Sequence, residues 1–189
     1  MDKIKLKPKT YLYPMPATLV GAMVEGKPNF EAIAYCGIVN HNPPALSVAS
    51  SKRHYTNKGI RAEKTFSVNI PSSDMVKVTD FCGVTSGAKI DKSQLFDTFF
   101  GSLKTAPMIK ECPLCLECEL IETVVISTME CFIGEIKGVY TEEKFLTDGL
   151  PDITKIDPII FSMHQNEYYR VGKYLAKAYS VGKDYNPLI

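Results

Sequence analysis

Short apolar runs separated by glycine and proline turns constrain the fold of this chain most strongly. Residues 18–23 follow two prolines, which exclude a helix there because proline has no amide donor. Residues 65–70 alternate apolar and polar side chains, and residues 116–127 and 131–140 are rich in β-branched residues, as strands are. Many short strands of this kind predict a mainly β (α+β) fold, in which a barrel carries a few flanking helices.

Helices are predicted in three places. Thr56 is positioned to cap a helix over residues 57–62, and a serine or aspartate begins another over residues 73–81. Residues 159–163 predict one more strand. The apolar and aromatic side chains of residues 167–179 predict a short closing helix.

The composition is that of one soluble globular domain spanning residues 1–189. The hydrophobic content is 45% and the charged content 23%, and no apolar run approaches the ~18 residues of a membrane span. The lysines of the amino terminus are not followed by an apolar segment, so we expect a cytoplasmic protein without membrane association. A net charge of +1 gives no support to nucleic-acid binding.

Three of the six cysteines form a C-x2-C-x2-C pattern, Cys112, Cys115 and Cys118. The pattern resembles the start of a bacterial ferredoxin motif, but the fourth ligand is missing. In a strand, Cys112 and Cys118 face one way and Cys115 the other, which separates the ligands. We therefore predict structural thiols and no metal site, with an iron–sulfur site or a redox pair as the alternatives.

Several common functional motifs do not occur in the sequence. There is no G-x-G-x-x-G, Walker A or H-E-x-x-H sequence, so the usual dinucleotide, nucleotide-triphosphate and zinc-peptidase motifs are missing. A G-x-S-x-G nucleophile motif is missing too. The three histidines, His41, His54 and His164, have no evident nucleophile partner and are interpreted as structural.

An abrupt change of polarity marks the first candidate binding segment. Residues 45–49 are small or apolar and suit a buried strand, whereas residues 50–57 carry hydroxyls and cations. Donors gathered at a strand end suit an oxyanion such as a phosphate. The alternative is a solvated loop, since such side chains are commonly exposed.

Two other segments have the composition of a ligand site. Residues 29–39 are mostly small and apolar and would let a flat ligand approach the backbone. Tyr35 within them either stacks on a planar ring or is a core tyrosine. In residues 82–89, two glycines flank hydroxyl side chains, so backbone donors of this loop can face a ligand.

The order of motifs resembles the flavin reductase-like family of FMN-binding split barrels, and within it the flavoredoxin-like branch. The matching segments are YPMPATLVG, GKPN with AIAYCGI, NPPALSVASSKRHYT, DFCGVTSG followed by DK, ECPLCLECEL, FIGEI, DGLPD, and YYRVG followed by GK. They span nearly the whole chain. The resemblance implies a Greek-key type split β-barrel, an FMN cofactor, and a homodimer with FMN near the subunit interface.

The resemblance also implies which residues contact the flavin. Residues 29–36 would lie along the isoalloxazine edge, and residues 84–87 would close over the flavin. Hydroxyls and a cation from residues 50–56 would hold the phosphate and the ribityl chain. The candidate cofactor-binding residues are Asn29, Ala32, Ile33, Ala34, Tyr35, Cys36, Ala49, Ser50, Ser51, Lys52, Thr56, Val84, Thr85, Ser86 and Gly87.

One departure from the family pattern affects the expected function. In flavin reductases that take hydride from NAD(P)H, a histidine often precedes the segment matching FIGEI, whereas here Thr128, Met129 and Glu130 occupy that region. We therefore predict a flavoredoxin-like redox flavoprotein. It would receive electrons from another redox protein and carry them on its bound FMN. The alternatives are an NAD(P)H-dependent flavin reductase and a non-catalytic flavin-binding module. No catalytic residue is assigned.

Overall fold

The computed structural model describes residues 2–186, and antiparallel strands dominate it. The strands are β1 (Met15–Pro16), β2 (Thr18–Val24), β3 (Lys27–Ile33), β4 (Cys36–Asn40), β5 (Ala45–Ser51), β6 (Thr65–Ile70), β7 (Thr98–Phe99), β8 (Met108–Ile109), β9 (Leu114–Ile126), β10 (Met129–Thr141), β11 (Leu146–Thr147), β12 (Leu150–Pro151), β13 (Ile160–Ser162) and β14 (Glu167–Tyr169). The helices are α1 (Thr56–Glu63), α2 (Val76–Val84) and α3 (Ile153–Ile156), with single 3-10 turns at Ser73–Met75 and Glu143–Phe145.

The main sheet has seven strands in the order β3-β2-β6-β9-β10-β5-β4, all paired antiparallel. Strands β3 and β4 are at opposite ends of this order, yet only Ala34 and Tyr35 link them. The three Cα–Cα steps from Ile33 to Cys36 span about 11 Å at most, so the sheet must curl until its edges meet. At this junction the amide of Ala49 donates to the carbonyl of Tyr35 at 2.8 Å. The predicted mainly β barrel is confirmed.

Two apolar clusters fill the fold. The first lies inside the curled sheet and includes Val20, Val48 and Phe66, with Ile60 of α1. The second packs α2 and the β7–β8 pair against the sheet and is built around Phe30. The long β9–β10 hairpin extends beyond the barrel, and its end is exposed.

The three cysteines of the C-x2-C-x2-C pattern are buried, but not all in the same apolar cluster. Cys118 belongs to the first cluster, whereas Cys112 and Cys115 both belong to the second. The predicted separation of Cys115 from Cys118 is correct, but Cys112 precedes β9 and does not share a face with Cys118. Burial raises the pKa of Cys115 to about 12. Within residues 2–186, no group of three or more Cys, His, Asp or Glu side chains is arranged to hold a metal ion.

One predicted helix does not form, and the cap predicted for α1 is wrong, although α1 itself covers the predicted residues 57–62. Residues 167–179 do not form a helix, because Glu167–Tyr169 pairs with β13 as a strand. Tyr174 and Leu175 are 79% and 95% exposed, so a short helix there would have no surface to stabilise it. Thr56 does not cap α1 but is its first residue, and its hydroxyl accepts a hydrogen bond from the side-chain amide of Asn29 at 2.7 Å. Across the described part of the chain, no helix is long and apolar enough to cross a membrane.

Candidate functional site

Two adjoining cavities open beside the carboxyl end of α2. The polar cavity has a volume of about 220 Å³ and is lined by Glu31, Arg53, His54, Tyr55, Thr56, Cys82, Gly83, Val84, Thr85, Ser86, Gly87 and Lys92. The apolar cavity has a volume of about 330 Å³ and is lined by Ala17, Ala32, Ile33, Ala34, Asp80, Gly83, Val84, Phe161, Asn166 and Tyr168. Gly83 and Val84 line both, so the two cavities adjoin at the end of α2, and together they are called the groove below.

One wall of the polar cavity is the turn that joins β5 to α1. Strand β5 ends at Ser51, and the amide of His54 donates to the carbonyl of Ser51 at 2.9 Å. The amide of Lys52 donates to the carbonyl of Thr128, which fixes this turn to the β9–β10 hairpin. The turn places Arg53 and His54 along the cavity and leaves the exposed Lys52 outside its lining.

The opposite wall is the loop that follows α2. Lys92 anchors this loop, because its buried ammonium donates to the carbonyls of Phe30 and Cys82, both at 2.9 Å. Burial lowers the pKa of Lys92. Gly87 lies so close to β3 and to Tyr55 that an added Cβ would collide with the side-chain amide of Asn29. The loop is therefore held against the barrel at both ends.

A buried carboxylate forms the floor of the polar cavity. Glu31 is 7% exposed, and the hydroxyl of Ser50 donates to its Oε1 at 3.0 Å. The Nδ1 of His54 contacts the same carboxylate oxygen and lies 3.0 Å from the hydroxyl of Ser50. The hydrogen bond with Glu31 raises the pKa of His54.

The charges that line the polar cavity are mainly positive. Arg53, His54 and Lys92 line it, against the single carboxylate of Glu31. Glu31 is already paired with His54, while Arg53 forms no salt bridge with any residue between 2 and 186. A cavity with this charge, and with the hydroxyls of Thr85 and Ser86 in its lining, is suited to an anion.

The apolar cavity is shaped by small side chains on one side and aromatic rings on another. Ala32 and Ala34 lie on β3 and in its link to β4, and Phe161 and Tyr168 lie on β13 and β14. The two rings are 5.5 Å apart between centroids, and the hydroxyl of Tyr168 donates to Asp80 at 2.9 Å. Small residues that allow close approach to the backbone suit a planar ring system.

The structure brings together just over half of the residues predicted from the sequence to bind the cofactor. Those that line the groove are Ala32, Ile33, Ala34, Thr56, Val84, Thr85, Ser86 and Gly87. Those outside its lining are Asn29, Tyr35, Cys36, Ala49, Ser50, Ser51 and Lys52. Asn29 and Ser50 lie directly behind the lining, through their hydrogen bonds to Thr56 and Glu31.

Several lining residues were not identified from the sequence. Glu31 had a signal, since it is the one charged residue in the small, apolar run of residues 29–39. Arg53 and His54 belong to the recognised cationic segment, but sequence could not show which members face inward. Phe161 and Tyr168 had no signal, because they reach the groove from strands far along the chain.

Comparison with known proteins identifies the family. Residues 10–168 match the family described as "Flavin reductase like domain". The chain belongs to the flavin reductase-like family. This confirms the resemblance deduced from the order of motifs, and the split-barrel architecture that the resemblance implied.

Two flavoredoxins of known structure superpose closely on the chain. A flavoredoxin from Methanosarcina acetivorans is 51% identical, with 97% of this chain and 98% of that chain covered and a TM-score of 0.95. Flavoredoxin of Desulfovibrio vulgaris (Miyazaki F) is 39% identical, with 96% and 100% covered and a TM-score of 0.90. A protein of Archaeoglobus fulgidus is 34% identical over 145 residues, which is 76% of this chain and 81% of that protein.

Proposed function

We propose that this protein is a flavoredoxin-like redox flavoprotein that binds FMN and carries electrons through it. The observation that carries the proposal is the groove made by the adjoining polar and apolar cavities at the end of α2. Cavities of about 220 and 330 Å³ together fall within the size range of cofactor sites. The similarity to two flavoredoxins over nearly the full chain supports the same assignment.

The residues of the groove fit the two chemically different ends of FMN. Arg53 and His54 supply cationic donors for a phosphate, and Thr85 and Ser86 supply hydroxyls. Ala32, Ala34 and Phe161 supply the apolar surface for the ring system. Bound FMN would supply the redox chemistry, which accepts and releases electrons, while the protein orients the flavin and excludes water from it.

Arg53→Ala is expected to weaken FMN binding about ten- to a hundred-fold and to leave riboflavin binding nearly unchanged. A charge-assisted contact with the phosphate contributes roughly 1.5 to 3 kcal/mol, and riboflavin has no phosphate. Fluorescence titration of both flavins measures the difference. The matched variant is Lys52→Ala, whose side chain is exposed one residue earlier. A selective loss of FMN binding in Lys52→Ala alone would instead support the cation predicted from the sequence.

The electron donor is proposed to be another redox protein. No histidine stands at residues 128–130, where Met129 pairs with Ser51 at the start of the turn that carries Arg53 and His54. Glu130 is occupied, since Arg61 donates to it at 2.5 Å and Asn57 at 2.8 Å. This region therefore offers no free imidazole or carboxylate to a nicotinamide nucleotide.

Anaerobic stopped-flow absorbance of the FMN-loaded protein tests this role. We expect slow bleaching of the flavin by NADH or NADPH and rapid bleaching by a reduced ferredoxin or a chemical one-electron donor. Free FMN mixed with the same reagents is the control. Fast, saturable bleaching by a nucleotide would identify an NAD(P)H-dependent flavin reductase instead. If every donor reduces bound FMN no faster than free FMN, the protein would be a binding module without turnover.

A second copy of the chain is proposed as a structural partner. Ile38 and Val39 of β4 are 71% and 51% exposed, and Val125 and Ile126 at the end of β9 are 57% and 63% exposed. Strands β4 and β9 lie in the same half of the sheet with β10 and β5 between them, and exposed apolar side chains on this half suit an interface between copies. Light scattering of the FMN-loaded protein should give the mass of two chains, and a mass near 21.0 kDa would contradict a dimer.

A further inference from the structure

The buried Glu31 and the partly exposed His54 form a pair that the proposed flavin chemistry does not require. Glu31 lies on β3, and His54 lies in the turn before α1, so the contact joins two elements across the floor of the polar cavity. Ser50 completes the cluster with 3.0 Å contacts to both partners. A carboxylate that is only 7% exposed needs such partners, because a buried charge without them is strongly destabilising.

The contact with Glu31 fixes which nitrogen of His54 faces inward. A carboxylate only accepts hydrogen bonds, so Nδ1 must carry a proton and donate to Glu31 in either charge state of the ring. The other nitrogen, Nε2, has no hydrogen-bond partner among residues 2–186, and the side chain is 45% exposed at the cavity. Nε2 is therefore the atom that His54 can offer to a ligand.

The charge state of His54 decides what Nε2 offers. When the ring is neutral and Nδ1 keeps its proton, Nε2 presents a lone pair, which repels an anion. When the ring is protonated, Nε2 presents an N–H donor and a positive charge. One proton thus converts this wall of the cavity from an acceptor to a charged donor.

We infer that His54, oriented by Glu31, is a proton-linked specificity residue that selects flavins carrying a phosphate. The inference rests on the proposed function, since it assigns the phosphate end of FMN to the polar cavity. His54 binds the phosphate as the imidazolium, so binding holds a proton on the protein. Riboflavin, which has no phosphate, does not depend on this proton.

Other titratable groups face His54 and must be distinguished from it. Glu31 comes from β3, and the neutral Ser50 comes from β5. Lys92 and Cys82 line the same cavity from the loop after α2 and from α2, and Arg53 and Tyr55 flank His54 in its own turn. Lys92 matters most, because its lowered pKa would also reduce positive charge at high pH.

The sign of the pH dependence follows from the pair. The pKa of His54 is raised by its hydrogen bond with Glu31, so the imidazolium persists to higher pH than in a free histidine. FMN affinity should stay high below this raised pKa and fall as the pH increases through it. The second ionisation of a phosphate ester is near pH 6, so above about pH 7 the ligand itself no longer changes charge.

The test is a fluorescence titration with FMN and with riboflavin from about pH 6 to about pH 9. We expect FMN affinity to fall about tenfold or more across the upper part of this range, while riboflavin affinity changes little. In His54→Gln, whose amide donates at every pH, the fall should be flattened. The matched variant His41→Gln, in the exposed turn before β5, should retain it. A fall that persists in His54→Gln would come from another group, such as Lys92, and would overturn the inference.

Nuclear magnetic resonance of the flavin-free protein provides a second readout. Glu31→Gln removes the carboxylate, so the resonance of His54 should titrate at lower pH than in the unmodified protein. An unchanged titration would overturn the role of Glu31. If FMN fails to bind at every pH, the proposed function itself fails. If FMN binds with the same pH profile as riboflavin, only the role of His54 fails.

Discussion

The Gly83→Leu variant is expected to fold and to lose most of its affinity for FMN. Gly83 lies where the polar and apolar cavities meet, and an added Cβ would lie 3.3 Å from the Cβ of Ala32. A leucine side chain would fill the passage through which an extended ligand must run. Overfilling a closely packed site costs about 1 to 3 kcal/mol, which corresponds to roughly a five- to 150-fold loss of affinity.

The substitution at residue 83 is not expected to destabilise the fold. Gly83 is exposed and lies in the last turn of α2, where leucine has the higher helix propensity. The thermal unfolding of the flavin-free variant should therefore match that of the unmodified protein. Gly172→Leu is the matched control, because no atom lies within 4 Å of the Cβ that it adds. Unchanged FMN affinity in Gly83→Leu would mean that the ligand does not cross from one cavity to the other.

Glu117→Ala is expected to destabilise the protein by about 3 to 5 kcal/mol, the largest effect on stability that we anticipate. The carboxylate of Glu117 is fully buried on β9. It accepts hydrogen bonds from the hydroxyl and amide of Ser102 at 2.6 and 3.1 Å, from the amide of Leu103 at 2.9 Å, and from Tyr140 at 2.7 Å. Truncation removes all four at once and leaves their donors without this acceptor.

Urea unfolding measures this loss, and Glu119→Ala is the matched control. Glu119 lies two residues further along β9, and its side chain is 53% exposed. Within residues 2–186 its one ion pair is with Lys137, at 3.2 Å. An exposed pair of this kind contributes at most about 1 kcal/mol. Equal stabilities of the two variants would show that the hydrogen bonds to Glu117 do not hold the loop at Ser102 against β9.

The same carboxylate gives the stability a dependence on acid. Burial acts to raise the pKa of Glu117, but the hydrogen bonds from Ser102, Leu103 and Tyr140 outweigh it, so the pKa lies below the usual value. A lowered folded-state pKa stabilises the folded protein above the unfolded-state pKa. This contribution is lost as the pH falls through the folded-state value. The stability difference between the unmodified protein and Glu117→Ala should therefore shrink at low pH.

Local sequence patterns predicted five of the seven strands of the main sheet, β2, β5, β6, β9 and β10, because each of them buries apolar side chains in the core. The alternation in residues 65–70 matches β6, and the β-branched runs match β9 and β10 to within two residues at each end. The helix predicted at residues 167–179 does not form. The apolar side chains have helical spacing, but no other part of the described chain covers Tyr174 and Leu175. Pairing of Tyr169 with Ile160 decided that segment instead.

The candidate site was predictable where its walls are continuous in sequence. The loop at residues 84–87 and the small residues 32–34 both line the groove. Which cation faces the cavity was not predictable from the sequence. Lys52, Arg53 and His54 are consecutive in one turn, and only Arg53 and His54 line the cavity. The approach of Phe161 depends on tertiary packing of β13, which no local pattern encodes.

The most direct test of the account is the identity and amount of flavin released on denaturation. Protein incubated with FMN, freed of excess ligand and then denatured should yield FMN in near one-to-one ratio to the chain, as chromatography and absorbance would show. Retention should fall sharply in Gly83→Leu and remain in Gly172→Leu. A protein that stays colourless and retains no FMN would contradict the assignment of the groove as a flavin site.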